Sequence, residues 1–153
     1  MNTSSGKILV PIDFSDVTES VIDQAKEIAK GTNMKVLLLH VETNPDDYIQ
    51  YSVRAPGLDA ALKQHTDYAK EELNHYRNMF TEAGIETEIK FEMGPIHTTI
   101  MQEIETEDPS MIIVGSHGHG SLYHVLMGSV CESVFKKAHC PVIVVPSAVT
   151  AGI

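Results

Sequence analysis

The chain has 153 residues, 42 % of them hydrophobic, which suits a single globular domain over residues 1–153 whose core needs neither disulfides nor a structural metal. Lys and Arg total 11 against 21 Asp and Glu, a formal net charge of −10 that repels a phosphate backbone, so general nucleic-acid binding is not expected. No apolar run approaches the ~20 residues of a membrane span, and the short polar start has no apolar stretch of a secretion signal, so the expected compartment is the cytoplasm.

Residues 7–12 open with the short apolar run Lys7-Ile8-Leu9-Val10-Pro11-Ile12, closed by Asp13. A helix follows, capped by Ser15 or Asp16, with Val17, Val21, Ile22, Ala25, Ile28 and Ala29 along one face and Gly31 as its left-handed stop. Residues 35–41 carry Val36, Leu37, Leu38 and Leu39 in succession and read as a second strand. Residues 42–57, with Pro45, Pro56 and Gly57, show no periodicity; a connection this long is either a disordered loop or a lid over a ligand. A long helix over 58–83 places Leu62, His65, Tyr68, Ala69, Leu73, Tyr76 and Phe80 at three- and four-residue steps, and Gly84 closes it. In residues 85–91, Ile85, Thr87, Ile89 and Phe91 alternate with Glu86, Glu88 and Lys90, the mark of a strand with one wet face at a sheet edge. A third helix carries Ile96, Ile100, Met101 and Ile104 before Pro109 forbids its continuation. Residues 110–114 and 141–145 are continuous apolar strands. The helix between them starts with Ser129-Val130-Cys131-Glu132, the S-x-x-E pattern of a capping box. Cys131 and Cys140 have no CxxC spacing and read as small buried thiols in a reducing compartment.

The order β-α-β-α-β-α-β-α-β predicts an α/β fold of Rossmann-like type: an open five-stranded parallel sheet with helices on both faces, joined by right-handed crossovers. The first and fourth strands belong near its middle. Ligands of such sheets bind beyond the carboxyl ends of the strands. The loop after the fourth strand reads Val114-Gly115-Ser116-His117-Gly118-His119-Gly120-Ser121, and later Gly128-Ser129-Val130. Glycines so placed let consecutive amides turn inward as a nest and let the backbone approach a phosphate. Gly128 then delivers the chain to a helix N-terminus, where open amides and the helix dipole favour an anion. The Ser129 hydroxyl can cap its own helix or donate to a phosphate oxygen. There is no G-x-x-x-x-G-K-S/T, so the loop is not a P-loop, and the first βα turn has no glycine, so it is not the dinucleotide fingerprint. Asp13 stands in that turn instead, either as a helix cap or as an acceptor for ribose hydroxyls. His117-x-His119 with His124 nearby resembles half a metal site, but no spacing makes a third or fourth ligand converge. His117 and His119 are read as exposed or phosphate-facing, no metal is expected, and His40 and His97 are read as structural.

The spacing Gly115-x2-Gly118-x9-Gly128-Ser129 resembles the nucleotide-binding motif of the universal stress protein family. The opening Ile8-Leu9-Val10-Pro11-Ile12-Asp13-Phe14-Ser15 and the closing Cys140-Pro141-Val142-Ile143-Val144-Val145-Pro146 are similar to that family too, so the resemblance covers nearly the whole chain. It implies the strand order 3-2-1-4-5 and a homodimer formed through the last strand, Val142 to Val145. As ligand it implies ATP, or else AMP or ADP, with Mg²⁺ as an optional companion. Asp13 would meet the ribose, Pro11 and Ile12 would line the adenine end, and Val41 would read the adenine edge through its backbone. Val114, Gly115 and Gly118 would support the ribose and first phosphate, and Gly128, Ser129 and Val130 the outer phosphates. Many family members carry Arg or Lys after the second glycine; here His119 stands there, and a neutral imidazole offsets little phosphate charge near pH 7. With no basic residue in the loop to clamp a γ-phosphate, fast chemistry is not expected; the resemblance implies a stress-response regulator whose bound nucleotide changes its contacts with an unidentified protein partner. Slow ATP hydrolysis, self-phosphorylation on Ser129 or Ser121, and a ligand-free dimeric interaction module are the alternatives.

Overall fold

Alternate residues of the central strands leave the sheet on opposite sides, and each set meets its own pair of helices. A computed structural model describes residues 6–44, 56–117 and 127–146. In chain order its elements are β1 (Lys7–Pro11), α1 (Thr18–Thr32), β2 (Lys35–Glu42), α2 (Leu58–Glu82), β3 (Thr87–Met93), α3 (Ile96–Glu107), β4 (Met111–Gly115), α4 (Ser129–Lys137) and β5 (Val142–Val145). The five strands form one parallel sheet in the order β3-β2-β1-β4-β5, the arrangement the resemblance implies. On one face Ile8, Val10, Val36, Leu38 and Ile113 pack with Val21, Ile22 and Ala25 of α1 and Leu73, Tyr76 and Phe80 of α2. On the other, Leu9, Leu37, Leu39, Val41 and Ile112 pack with Ile100 and Ile104 of α3 and Val134 of α4. That two-sided burial is why these strands read as unbroken apolar runs. β3, at the edge, has half-buried side chains through most of its length, as its alternation requires.

Several local expectations need correction. α1 does not stop at Gly31 but continues to Thr32, and Asn33 takes the left-handed turn at φ 55°. Asparagine tolerates that region almost as glycine does, so the nearer glycine was the wrong landmark. Neither Ser15 nor Asp16 caps α1, whose N-cap position is Val17. The turn is held by Asp13 instead, whose Oδ1 accepts the Ser15 amide at 3.0 Å, while the Ser15 carbonyl accepts the Thr18 amide at 3.0 Å. Ser129 forms no capping box either. Gly128 occupies the N-cap position, Ser129 lies one residue inside the helix, and Glu132 pairs with Lys136 at 2.8 Å. β3 begins two residues later than its alternation suggests, because Ile85 is buried in the turn with its amide bonded to the Phe80 carbonyl at 3.0 Å. The part of the 42–57 connection at 45–55 lies outside the described residues.

Candidate functional site

β1 and β4 are sheet neighbours whose chains leave their carboxyl ends in opposite directions, β1 toward α1 on one face and β4 toward α4 on the other. The topology therefore opens a crevice beyond those ends. A cavity of about 860 Å³ occupies it. Pro11, Ile12 and Asp13 enter from β1, Val41 from β2, Val114, Gly115 and His117 from β4 and its loop, and Gly128, Ser129 and Val130 from the start of α4. The described residues singled out from the sequence thus share one cavity. Gly118 and His119 lie outside the described residues, as do Gly120, Ser121 and His124.

Asp13 marks one part of this cavity and α4 the other. The first-turn amides of a helix have no intrahelical acceptor, and the Glu132 amide is the first to close back, on the Gly128 carbonyl at 3.0 Å. The open amides belong to the residues following Gly128. The Gly128 amide itself is engaged by the Ser116 carbonyl at 2.6 Å, and the Ser116 amide by the Val145 carbonyl at 2.8 Å. An anion at this end would therefore meet the amides of Ser129 and Val130 but not that of Gly128. The glycines at 115 and 128 also have a packing explanation that the sequence did not suggest. A Cβ on Gly115 would lie 2.7 Å from Val17 Cγ1, and one on Gly128 would lie 3.0 Å from His117 Cα.

Four features of the cavity were missed. Phe14 has φ 60°, a conformation that bulky residues rarely adopt and that clusters at functional sites. It sets the ring against His40 at 4.3 Å between centroids, with Tyr76 stacked at 6.4 Å. Leu58, Leu62 and Tyr68 of α2 face the cavity rather than the core, and Tyr68 keeps 55 % of its surface exposed. Glu42 Oε1 lies 3.0 Å from His40 Nε2 and 3.1 Å from His65 Nε2, tying the end of β2 to α2 along the same wall. His97, expected to be structural, lines the cavity and lies near two serines of α4, Ser129 at 3.4 Å and Ser133 at 3.1 Å. Its only sequence signal was its place at the start of a helix. His40, also expected to be structural, is buried and its Nδ1 donates to the Ile12 carbonyl at 2.7 Å, and it borders the cavity as well.

Two hydroxyls, Ser15 Oγ in the first βα turn and Thr18 Oγ1 at the start of α1, are buried without a hydrogen-bond partner among the described residues, and Thr18 borders the cavity. The turn thus has polar capacity unmet beside the crevice. Both cysteines are free. Cys131 is buried and borders the cavity, whereas Cys140 is only half-buried, contrary to expectation. Burial pushes both thiols above their ordinary range, with Asp108 adding to the effect at Cys140, so neither is an activated nucleophile. Among the described residues no group of three or more His, Cys, Asp or Glu could hold a metal ion, and no helix is long and apolar enough to cross a membrane.

A family model described as the universal stress protein family matches residues 5–146. Universal stress protein MJ0577 of Methanocaldococcus jannaschii is 30 % identical over 95 % of this chain and 97 % of its own. The solved structure of MJ0577 superposes with a TM-score of 0.77, covering 92 % of this chain and 95 % of that one. At the level of fold alone, the universal stress protein of Archaeoglobus fulgidus in complex with dAMP is similar too. It has a TM-score of 0.62 and 24 % identity, over 92 % of this chain and 97 % of that one. So is a universal stress protein in complex with cAMP, with a TM-score of 0.65 and 20 % identity, over 95 % of this chain and all of that one.

Proposed function

The chain belongs to the universal stress protein family, and from that premise we propose that it is a cytoplasmic regulatory protein that binds an adenine nucleotide, ATP foremost and ADP or AMP after it. The observation that carries this reading is the polarity of this cavity: an apolar wall and a carboxylate at the β1 end, open helix amides at the α4 end. The base would rest against Pro11 and Ile12 with its edge at the Val41 backbone. The ribose hydroxyls would donate to Asp13, and the phosphates would accept from the Ser129 and Val130 amides, with Mg²⁺ carried on the phosphates. Two fold neighbours, solved in complex with dAMP and with cAMP, support an adenine nucleotide as the class of ligand. Two free thiols suit a reducing compartment. No catalytic residue is assigned, because a nucleotide held by amides and a carboxylate is bound without being activated.

The test is mass spectrometry of whatever leaves the purified protein on denaturation, joined to calorimetric titration of the emptied protein with ATP, ADP and AMP. An adenine nucleotide in the released fraction and saturable heat with at least one of the three are expected. A protein that releases none and gives no heat at millimolar nucleotide would remove the reading.

The same proposal includes a homodimer through β5. That strand is at the sheet edge, its residues Val142, Ile143 and Val144 are only half-buried, and Phe135 on the adjacent α4 is 63 % exposed. An apolar edge left open is a pairing hazard that proteins normally manage. Sedimentation velocity should show a dimer for the wild type and a monomer for Ile143→Lys. A wild type that stays monomeric at micromolar concentration would overturn this part.

A further inference from the structure

His97 is the second residue of α3, and α3 packs beside α4 so that the imidazole lies against the start of the latter. Ser129 and Ser133 are four residues apart and share one face of α4. The His97 ring spans them, with Nδ1 3.1 Å from Ser133 Oγ and Nε2 3.4 Å from Ser129 Oγ. A neutral imidazole has one donor and one acceptor nitrogen. If the Ser133 hydroxyl donates to Nδ1, the proton sits on Nε2, the nitrogen turned toward Ser129.

Ser129 is also the residue whose amide opens the α4 end of the cavity, and His97 and Ser129 both line that cavity. We propose that His97 is a specificity-determining residue for the nucleotide: its Nε2–H donates to the phosphate seated on the Ser129 and Val130 amides, and Ser133 holds the ring for that purpose. The proposal rests on the nucleotide reading above and goes beyond it by assigning recognition of the phosphate chain to a residue outside the glycine loop. Adenosine ends before this point and gains nothing from the ring. ADP and ATP reach it. A hydrogen bond to a charged group corresponds to about tenfold to a hundredfold in affinity.

The experiment is calorimetric titration of adenosine, ADP and ATP into the wild type, His97→Ala, His97→Gln and Ser133→Ala. His97 is exposed, so none of these changes opens the core. His97→Ala should lose about tenfold or more for ADP and ATP and nothing for adenosine. His97→Gln, whose amide nitrogen lies near the position of Nε2, should recover most of that loss, and Ser133→Ala should fall between them. Equal losses for adenosine and ADP in His97→Ala would mean a structural role and overturn the proposal. So would an unchanged ADP affinity, leaving the nucleotide reading intact. A wild type that binds none of the three ligands would overturn both together.

Discussion

Gly128→Val should abolish nucleotide binding in a chain that still folds. The φ of Gly128 is −71°, a value any residue adopts, so the substitution tests space and not backbone freedom. The added Cβ would stand 3.0 Å from His117 Cα and 3.4 Å from the Ser116 carbonyl oxygen. Both are backbone atoms and cannot rotate away. The start of α4 must then retreat from the loop after β4, straining the 2.6 Å bond between the Gly128 amide and Ser116. The Ser129 and Val130 amides move with it, and hydrogen bonds weaken steeply once distance and angle leave a narrow range. Losing two charge-assisted bonds at roughly 1.5–3 kcal/mol each would lower affinity by more than about a hundredfold. Overpacking should lower stability by about 1–3 kcal/mol, which a cooperative thermal melt would report. Titration of ATP into the folded variant decides the matter, and wild-type affinity there would show that the phosphates are held elsewhere.

Asp13→Ala should separate the ribose from the base. The carboxylate follows directly on β1, borders the cavity and gives one lone pair to the Ser15 amide. A carboxylate accepts about four hydrogen bonds, so one group can serve both the turn and a ribose hydroxyl. Removing it should weaken adenosine by about tenfold or more and leave free adenine unchanged, the size expected for a hydrogen bond to a charged group. Loss of the Ser15 bond should also lower stability by about 1 kcal/mol. Asp13→Asn keeps an acceptor for the turn without the charge, and should restore stability ahead of affinity. If adenine and adenosine weaken together in Asp13→Ala, the carboxylate shapes the turn and does not meet the sugar.

The strands were legible because a parallel sheet covered on both faces has to be built from unbroken apolar runs, and β1, β2 and β4 are such runs; β5 reads the same way although it lies at an edge with Val142, Ile143 and Val144 half-buried. The edge position of β3 followed from its alternating Glu86, Glu88 and Lys90. The crevice was legible for a related reason. Once the chain alternates strand and helix, ligand-bearing loops fall at the carboxyl ends, and a glycine-spaced loop after the fourth strand points to one of them. The strand order needed more than periodicity and came from the resemblance to a family.

Element order, the two-sided core and the loops that line the cavity were thus written into local patterns of two, three and four residues. The tertiary structure alone decided which groups are engaged there. Gly128 offers its amide to Ser116 and not to a ligand, and Asn33 rather than Gly31 ends α1. Phe14 takes a left-handed conformation and turns its ring onto His40. His97 reaches Ser129 from a different helix, 32 positions away along the chain. Apart from the end of α1, these are set between elements, by how α3 and α4 pack on one face of the sheet and α1 and α2 on the other. No spacing within a single segment encodes where a side chain of one helix meets the first turn of the next.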